Sequence, residues 1–118
     1  MTTAKALLAG QWREALDPVG HFRAYDPATG EAIGPAFPVH GPQDVEAAVV
    51  AAEAVVPTLR DATVQQIAGF LEAYASRLEA GIDELVALAH AETALAVHPR
   101  LSLAEMPRTV SQLRQAAA

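Results

Sequence analysis

The sequence predicts an α+β fold, an N-terminal β-hairpin followed by about four α-helices. Three observations predict it. Turn-forming residues gather early, with Pro18, Pro27, Pro35, Pro38, Gly10, Gly20, Gly30 and Gly34 all ahead of Gly41. Beyond Gly41, apolar residues recur every three or four positions, the helical period. Many of those residues are alanines, whose small side chains let helices approach closely. The change of character at Gly41 divides the chain into a hairpin and loop segment, 1–40, and a helical segment, 41–118, together part of one larger domain.

The stretch ALLAGQWREAL, Ala6 to Leu16, suits a short strand or a strand pair, with Gly10 permitting a tight turn. GHFRAYDPATGEAIGPAFPV then has the pattern of strand, turn and strand. His21, Arg23 and Tyr25 alternate with Phe22 and Ala24 across the two faces. Pro27 fits the second position of a turn, and Gly30 supplies a positive φ near its end. Pro35 and Pro38 cannot donate to a ladder, so the strand holding Ile33 is expected to be short or at an edge.

Four helices follow. Pro42 after Gly41 has the character of a first-turn proline, and Asp44 complements the helix dipole. Val45, Ala48, Val49, Ala52 and Val56 carry that helix to Pro57. A second helix starts at Asp61 or Thr63 and buries Val64, Ile67, Ala68, Leu71, Ala75 and Leu78, with Phe70 and Tyr74 beside them. Gly81 ends it or makes the bend into a third, about Ile82 to Thr93, whose face is Ile82, Leu85, Val86 and Ala89. Ser102 stands three residues before Glu105, the capping-box spacing. An interior Pro107 would clash with the carbonyl of Leu103, so a helix from Leu103 must kink. The later start, near Pro107, is preferred.

Composition narrows the functional classes. The 118 residues are 52% hydrophobic, enough for a core, although the alanines bury little area each. The formal charge is −6, and the eight basic residues are scattered. No basic stripe exists to neutralise a phosphate backbone, which argues against a nucleic-acid partner. No apolar run approaches the roughly 18–20 residues that cross a bilayer, which argues against a membrane partner. A soluble, cytoplasmic protein is expected. The chain has no cysteine, so it offers no disulfide, no thiolate metal ligand and no sulfur nucleophile. Its four histidines, His21, His40, His90 and His98, lack the i, i+4 helical pairing of a zinc site.

YDPATGEAIGPAFP, from Tyr25, resembles the Asn-Pro-Ala-Thr-Gly-Glu segment near the start of the NAD(P)-dependent aldehyde dehydrogenases, with Asp26 where asparagine is usual. LLAGQWREA resembles the short Gly-x-Trp strand that the family places before it. DVEAAVVAAEAV, FLEAYASRLEAGIDELVALAHAET and RTVSQLRQAA are similar to the family's first helices, in order and spacing. The likeness covers roughly residues 6–117. AETAL, RL and RTVSQLR together resemble the branch acting on 2-oxoglutarate semialdehyde. Departures stand at Ile67, where arginine is usual, at Thr93–Ala96 in place of Thr-Gly-Leu-Pro, and at Pro107.

The resemblance implies a truncated piece of the aldehyde dehydrogenase fold, from a shortened reading frame, a split gene or a deliberate fragment. It implies oxidation of an aldehyde, an oxo-acid semialdehyde, to a carboxylate by the complete enzyme, with NAD or NADP as acceptor. The chain alone is expected to bind no cofactor and to be inactive. It holds neither a cysteine for the thiohemiacetal step nor a G-x-G-x-x-G phosphate turn. Its expected partners are the rest of the enzyme or a homo-oligomer partner. In the last helix Arg108 and Gln112 lie four apart, on one face, flanked by Ser111 and Gln115. In the resembling enzymes this helix borders the substrate tunnel. The guanidinium fork and the amide are therefore expected to hold the carboxylate of the substrate. The competing expectation is a solvated polar face, or an Arg108 paired with Glu105. For the chain as a whole, it is a small helical interaction module that binds a partner through an alanine–valine face and has no enzymatic activity.

Overall fold

The computed structural model describes residues 3–118. Its elements are β1 (Ala6–Leu8), β2 (Gln11–Arg13), β3 (Gly20–Tyr25), β4 (Ala32–Val39), α1 (Pro42–Asp61), α2 (Val64–Ala80), α3 (Ile82–Thr93), a segment of turns kinked at His98 (Val97–Glu105) and α4 (Met106–Ala117). The α+β expectation holds. The chain divides into two compact units, residues 3–24 with 32–61, and Tyr25–Glu31 with 62–118.

In the first unit, β1 and β2 pair antiparallel, with Leu7 opposite Trp12. Ala9 (φ 50°) and Gly10 (φ 77°) form the two-residue turn between them, both left-handed as such a hairpin requires. The pair of short strands anticipated around Gly10 is present. β3 pairs with β4 in a second two-stranded sheet. β4 is longer than anticipated, at eight residues, although it is an edge strand. Its prolines are tolerated because a two-stranded sheet asks each strand to bond on one side only. Phe22 stacks on Phe37 at 5.4 Å between ring centroids, and Ala36 is fully buried.

α1 runs through Pro57 to Asp61 rather than stopping at the proline. Proline removes one intrahelical hydrogen bond, to the carbonyl of Glu53. Both Glu53 and Pro57 are exposed, so water can satisfy that carbonyl.

In the second unit, α2 starts at a reciprocal cap. Thr63 Oγ1 accepts the N–H of Gln66 at 3.2 Å, and Gln66 Oε1 accepts that of Thr63 at 2.8 Å. Ala75 is fully buried where α2 and α4 pack, and the core adds Val86, Leu101 and Val110. Other residues of the anticipated α2 face stay outside it, with Val64, Ile67, Phe70 and Tyr74 exposed. α3 follows its anticipated span.

Pro107 occupies the first turn of α4, as the later start anticipates. The Ser102–Glu105 box does not form. The segment before α4 breaks at His98, which is extended (φ −128°, ψ 133°); beyond that kink the Met106 N–H donates to the carbonyl of Leu101, and the chain runs into α4. Glu105 is itself helical (φ −70°, ψ −46°), which leaves no helix start for Ser102 to cap. Pro107 lies in the first turn of α4, where its missing N–H costs no intrahelical hydrogen bond.

Candidate functional site

α4 carries the polar groups that the sequence singled out. The Arg108 guanidinium lies 3.5 Å from a carboxylate oxygen of Glu105. Arg100 holds the other oxygen of that carboxylate at 2.7 Å. Two arginines thus share one glutamate, and Arg108 is the looser, with its side chain 71% exposed. Gln112 lies one turn further along, also exposed. The pair shares a face as the spacing requires. It does not line the cavity beside α4.

That cavity, about 470 Å³, is lined by Ser111, Arg114 and Gln115 of α4, together with Glu79, Ile82, Pro107, Val110 and Ala118. Arg114 is its organising charge. Its two terminal nitrogens donate to the two oxygens of Glu79, each at 2.6 Å, and its Nε donates to Glu72 at 3.4 Å. The bidentate fork fixes α4 on α2 in one rotation. Hydrogen bonding from Arg114 holds the Glu79 carboxyl below the usual carboxylate range, against partial burial, which pushes the other way. The same contact raises the Arg114 guanidinium.

Sequence reasoning passed over Arg114. The available signal was the seven-residue spacing of Glu72 and Glu79, which puts both carboxylates on one stripe of α2. That α4 would lie along that stripe was not written in the sequence.

A second polar cluster, in the first unit, also went unread. Asp44 is buried at 7% exposure. Its two oxygens accept the Leu16 N–H at 3.1 and 3.0 Å, and His40 Nδ1 lies 2.9 Å from Oδ2. The hydrogen bond with His40 leads in drawing the Asp44 carboxyl below its ordinary range; burial opposes it, and the Leu16 and Asp17 backbone groups add to the lowering. Arg13 approaches the same carboxylate at 3.7 Å. The helix start is capped by Asp17, which accepts the N–H groups of Gln43 and Asp44. Asp44 sits in the first turn as the dipole reading has it, but its oxygens face Leu16 and His40.

The remaining histidines bond locally, His90 Nδ1 with the carbonyl of Leu95 at 2.7 Å and His98 Nδ1 with the Ser102 hydroxyl at 3.2 Å. Among the described residues, no group of three or more histidines and carboxylates has a metal-holding arrangement, and no helix is long and apolar enough to cross a membrane.

Residues 12–118 match the aldehyde dehydrogenase family. The chain belongs to that family. It is 44% identical over 96 residues to alpha-ketoglutaric semialdehyde dehydrogenase 2 of Azospirillum brasilense, an alignment that covers 80% of this chain and 18% of that protein. The chain therefore spans under a fifth of the length of this relative. The aldehyde dehydrogenase likeness seen in YDPATGE and the later helices is thereby established, and α4, with both Arg108 and Arg114, lies inside the matched span.

Proposed function

We propose that this chain is the amino-terminal scaffold of an aldehyde dehydrogenase whose substrate is an oxo-acid semialdehyde. The supporting observation is the 44% identity to a protein named for alpha-ketoglutaric semialdehyde. In the complete enzyme the aldehyde is oxidised to a carboxylate and hydride passes to NAD or NADP. The nucleophile and the dinucleotide site are supplied by other parts of that enzyme, because these residues include no cysteine. A cytoplasmic location agrees with this reading.

Arg108 and Gln112 are the proposed substrate contacts. Arg108 is held by one 3.5 Å contact to a glutamate that Arg100 already engages, so most of its donors remain available to an incoming carboxylate. Gln112 adds an amide donor on the same face. Arg114 is a poorer candidate, because two glutamates occupy its fork. Arg108→Ala in a full-length relative should raise KM for an acidic aldehyde about tenfold or more and leave a neutral aldehyde unaffected. An unchanged KM for the acidic substrate removes Arg108 from the site.

The scaffold role has a separate test. The Azospirillum relative, deprived of the segment that aligns with this chain, should regain nicotinamide reduction when this chain is supplied in trans. Failure of the two pieces to associate contradicts the scaffold reading.

A further inference from the structure

Glu105 holds two guanidiniums with one carboxylate. Arg100 donates to one oxygen at 2.7 Å, and Arg108 lies 3.5 Å from the other. The two arginines rise from different backbone. Arg108 stands in the first turn of α4. Arg100 stands on the segment beyond the His98 kink, where the buried Leu101 pins the neighbouring residue in the core of the second unit. Five residues separate Arg100 from Glu105, a spacing that puts side chains on different faces of an ideal α-helix. Their contact is therefore made by the fold of this segment. Glu105 is also the most deeply set of the three, with its side chain 30% exposed against 58% for Arg100 and 71% for Arg108. The anchor lies underneath and the two forks stand outside it.

Two guanidiniums repel each other, and the Glu105 charge between them is what lets them stand together. Each has five N–H donors, of which Glu105 occupies only a part. The three side chains carry +2 and −1, a net +1, in a chain whose formal charge is −6. One further carboxylate brings this cluster to neutrality, whereas a neutral aldehyde does not. We infer that Arg100 is a second substrate-binding arginine, that Arg100 and Arg108 together clamp the carboxylate of a monoanionic semialdehyde, and that Glu105 is the positioning residue holding both arms. The inference rests on the reading of Arg108 as a substrate contact and adds the second arm and its anchor. Charge and positioning give Glu105 opposite signs. Glu105→Gln makes the cluster more positive by one, which by attraction alone should tighten an anionic substrate. Its amide has one acceptor oxygen where the carboxylate has two, so it cannot hold both guanidiniums. Positioning therefore predicts weaker binding.

The test uses a full-length relative that bears these three side chains at the same spacing. Arg100→Ala should raise KM for a monocarboxylate aldehyde about fivefold relative to a neutral one, with little change in kcat. Arg100→Lys should recover only part of this, because an ammonium keeps the charge without the fork. Glu105→Gln should raise the same KM about threefold. In the present chain, Glu105→Gln should speed the motion of the Arg100 and Arg108 guanidiniums in NMR relaxation, with an unchanged far-ultraviolet circular dichroism spectrum. If Arg108→Ala leaves KM for the acidic aldehyde unchanged, the parent reading falls and the clamp falls with it. If Arg108→Ala raises that KM and Arg100→Ala does not, the clamp alone is wrong. A KM that falls in Glu105→Gln shows Glu105 to be only an opposing charge and overturns its positioning role. Guanidiniums equally mobile with and without the Glu105 carboxylate overturn it as well.

Discussion

The carboxylate of Asp17 accepts the backbone N–H of Gln43 at 3.0 Å, across 26 residues of sequence. The N–H of Asp44 joins it at 3.3 Å. The start of α1 is therefore capped by the loop after β2, whereas most helix caps are supplied by the residue just ahead. Gly41 makes this possible, because a Cβ there would collide with the backbone carbonyl and carboxylate of Asp17.

Loss of this long-range cap should show as lost stability. Asp17→Ala should cost about 0.5–2 kcal/mol, the usual worth of a helix cap, in urea unfolding followed by circular dichroism. Gly41→Ala should cost more, since it displaces the capping loop itself. If Gly41→Ala unfolds at the wild-type midpoint, the close approach of Asp17 is wrong.

The cap on α2 is local and offers a contrast. Thr63→Ala removes the acceptor of the Gln66 N–H and should cost about 1 kcal/mol. Thr63→Ser, which keeps an acceptor oxygen, should recover most of it. Equal losses in the two variants would show that the methyl group, and not the hydroxyl, does the stabilising.

Leu101 tests the core of the second unit. It is 5% exposed, and Leu101→Ala should cost about 2–5 kcal/mol. Val64→Ala, at an exposed position, should stay within about 0.5 kcal/mol. Similar losses at both sites would place the core elsewhere.

The Glu79–Arg114 pair sets a pH dependence. The folded-state pKa of Glu79 is lowered. Its contribution is therefore present above the unfolded carboxylate value of about 4.3 and is lost as pH falls through the lower folded value. Both side chains are partly exposed, 40% for Arg114 and 48% for Glu79, so solvent screens the effect and keeps it small. Thermal melts of Arg114→Gln should show a shallower loss of stability below about pH 4.3 than the wild type. Identical acid limbs would mean that Glu79 is not the group being titrated.

Local signals were legible in the sequence and long-range ones were not. The turn at Ala9–Gly10, the span of α3 and the start of α4 follow from turn chemistry and helical period. Pro57 misled because its cost depends on whether water can reach the Glu53 carbonyl, and exposure is not a property of sequence. Ser102 and Glu105 have the spacing of a cap, but Glu105 is itself helical, which leaves no helix start between them. Two carboxylate contacts, Asp44 with Leu16 and Glu79 with Arg114, join segments 28 and 35 residues apart. Only the folded arrangement of those segments brings their partners together. Arg108 and Gln112 share a face, as four-residue spacing on any helix requires.

In the proposed function this chain contributes scaffold to aldehyde oxidation and none of its chemistry. The direct test is the absorbance of reduced nicotinamide when the purified chain, free of any longer family member, is mixed with alpha-ketoglutaric semialdehyde and NAD+ or NADP+. No absorbance should develop. Sustained nicotinamide reduction by the chain alone would contradict the account, because it would require a nucleophile and a cofactor site that this reading assigns to the rest of the enzyme.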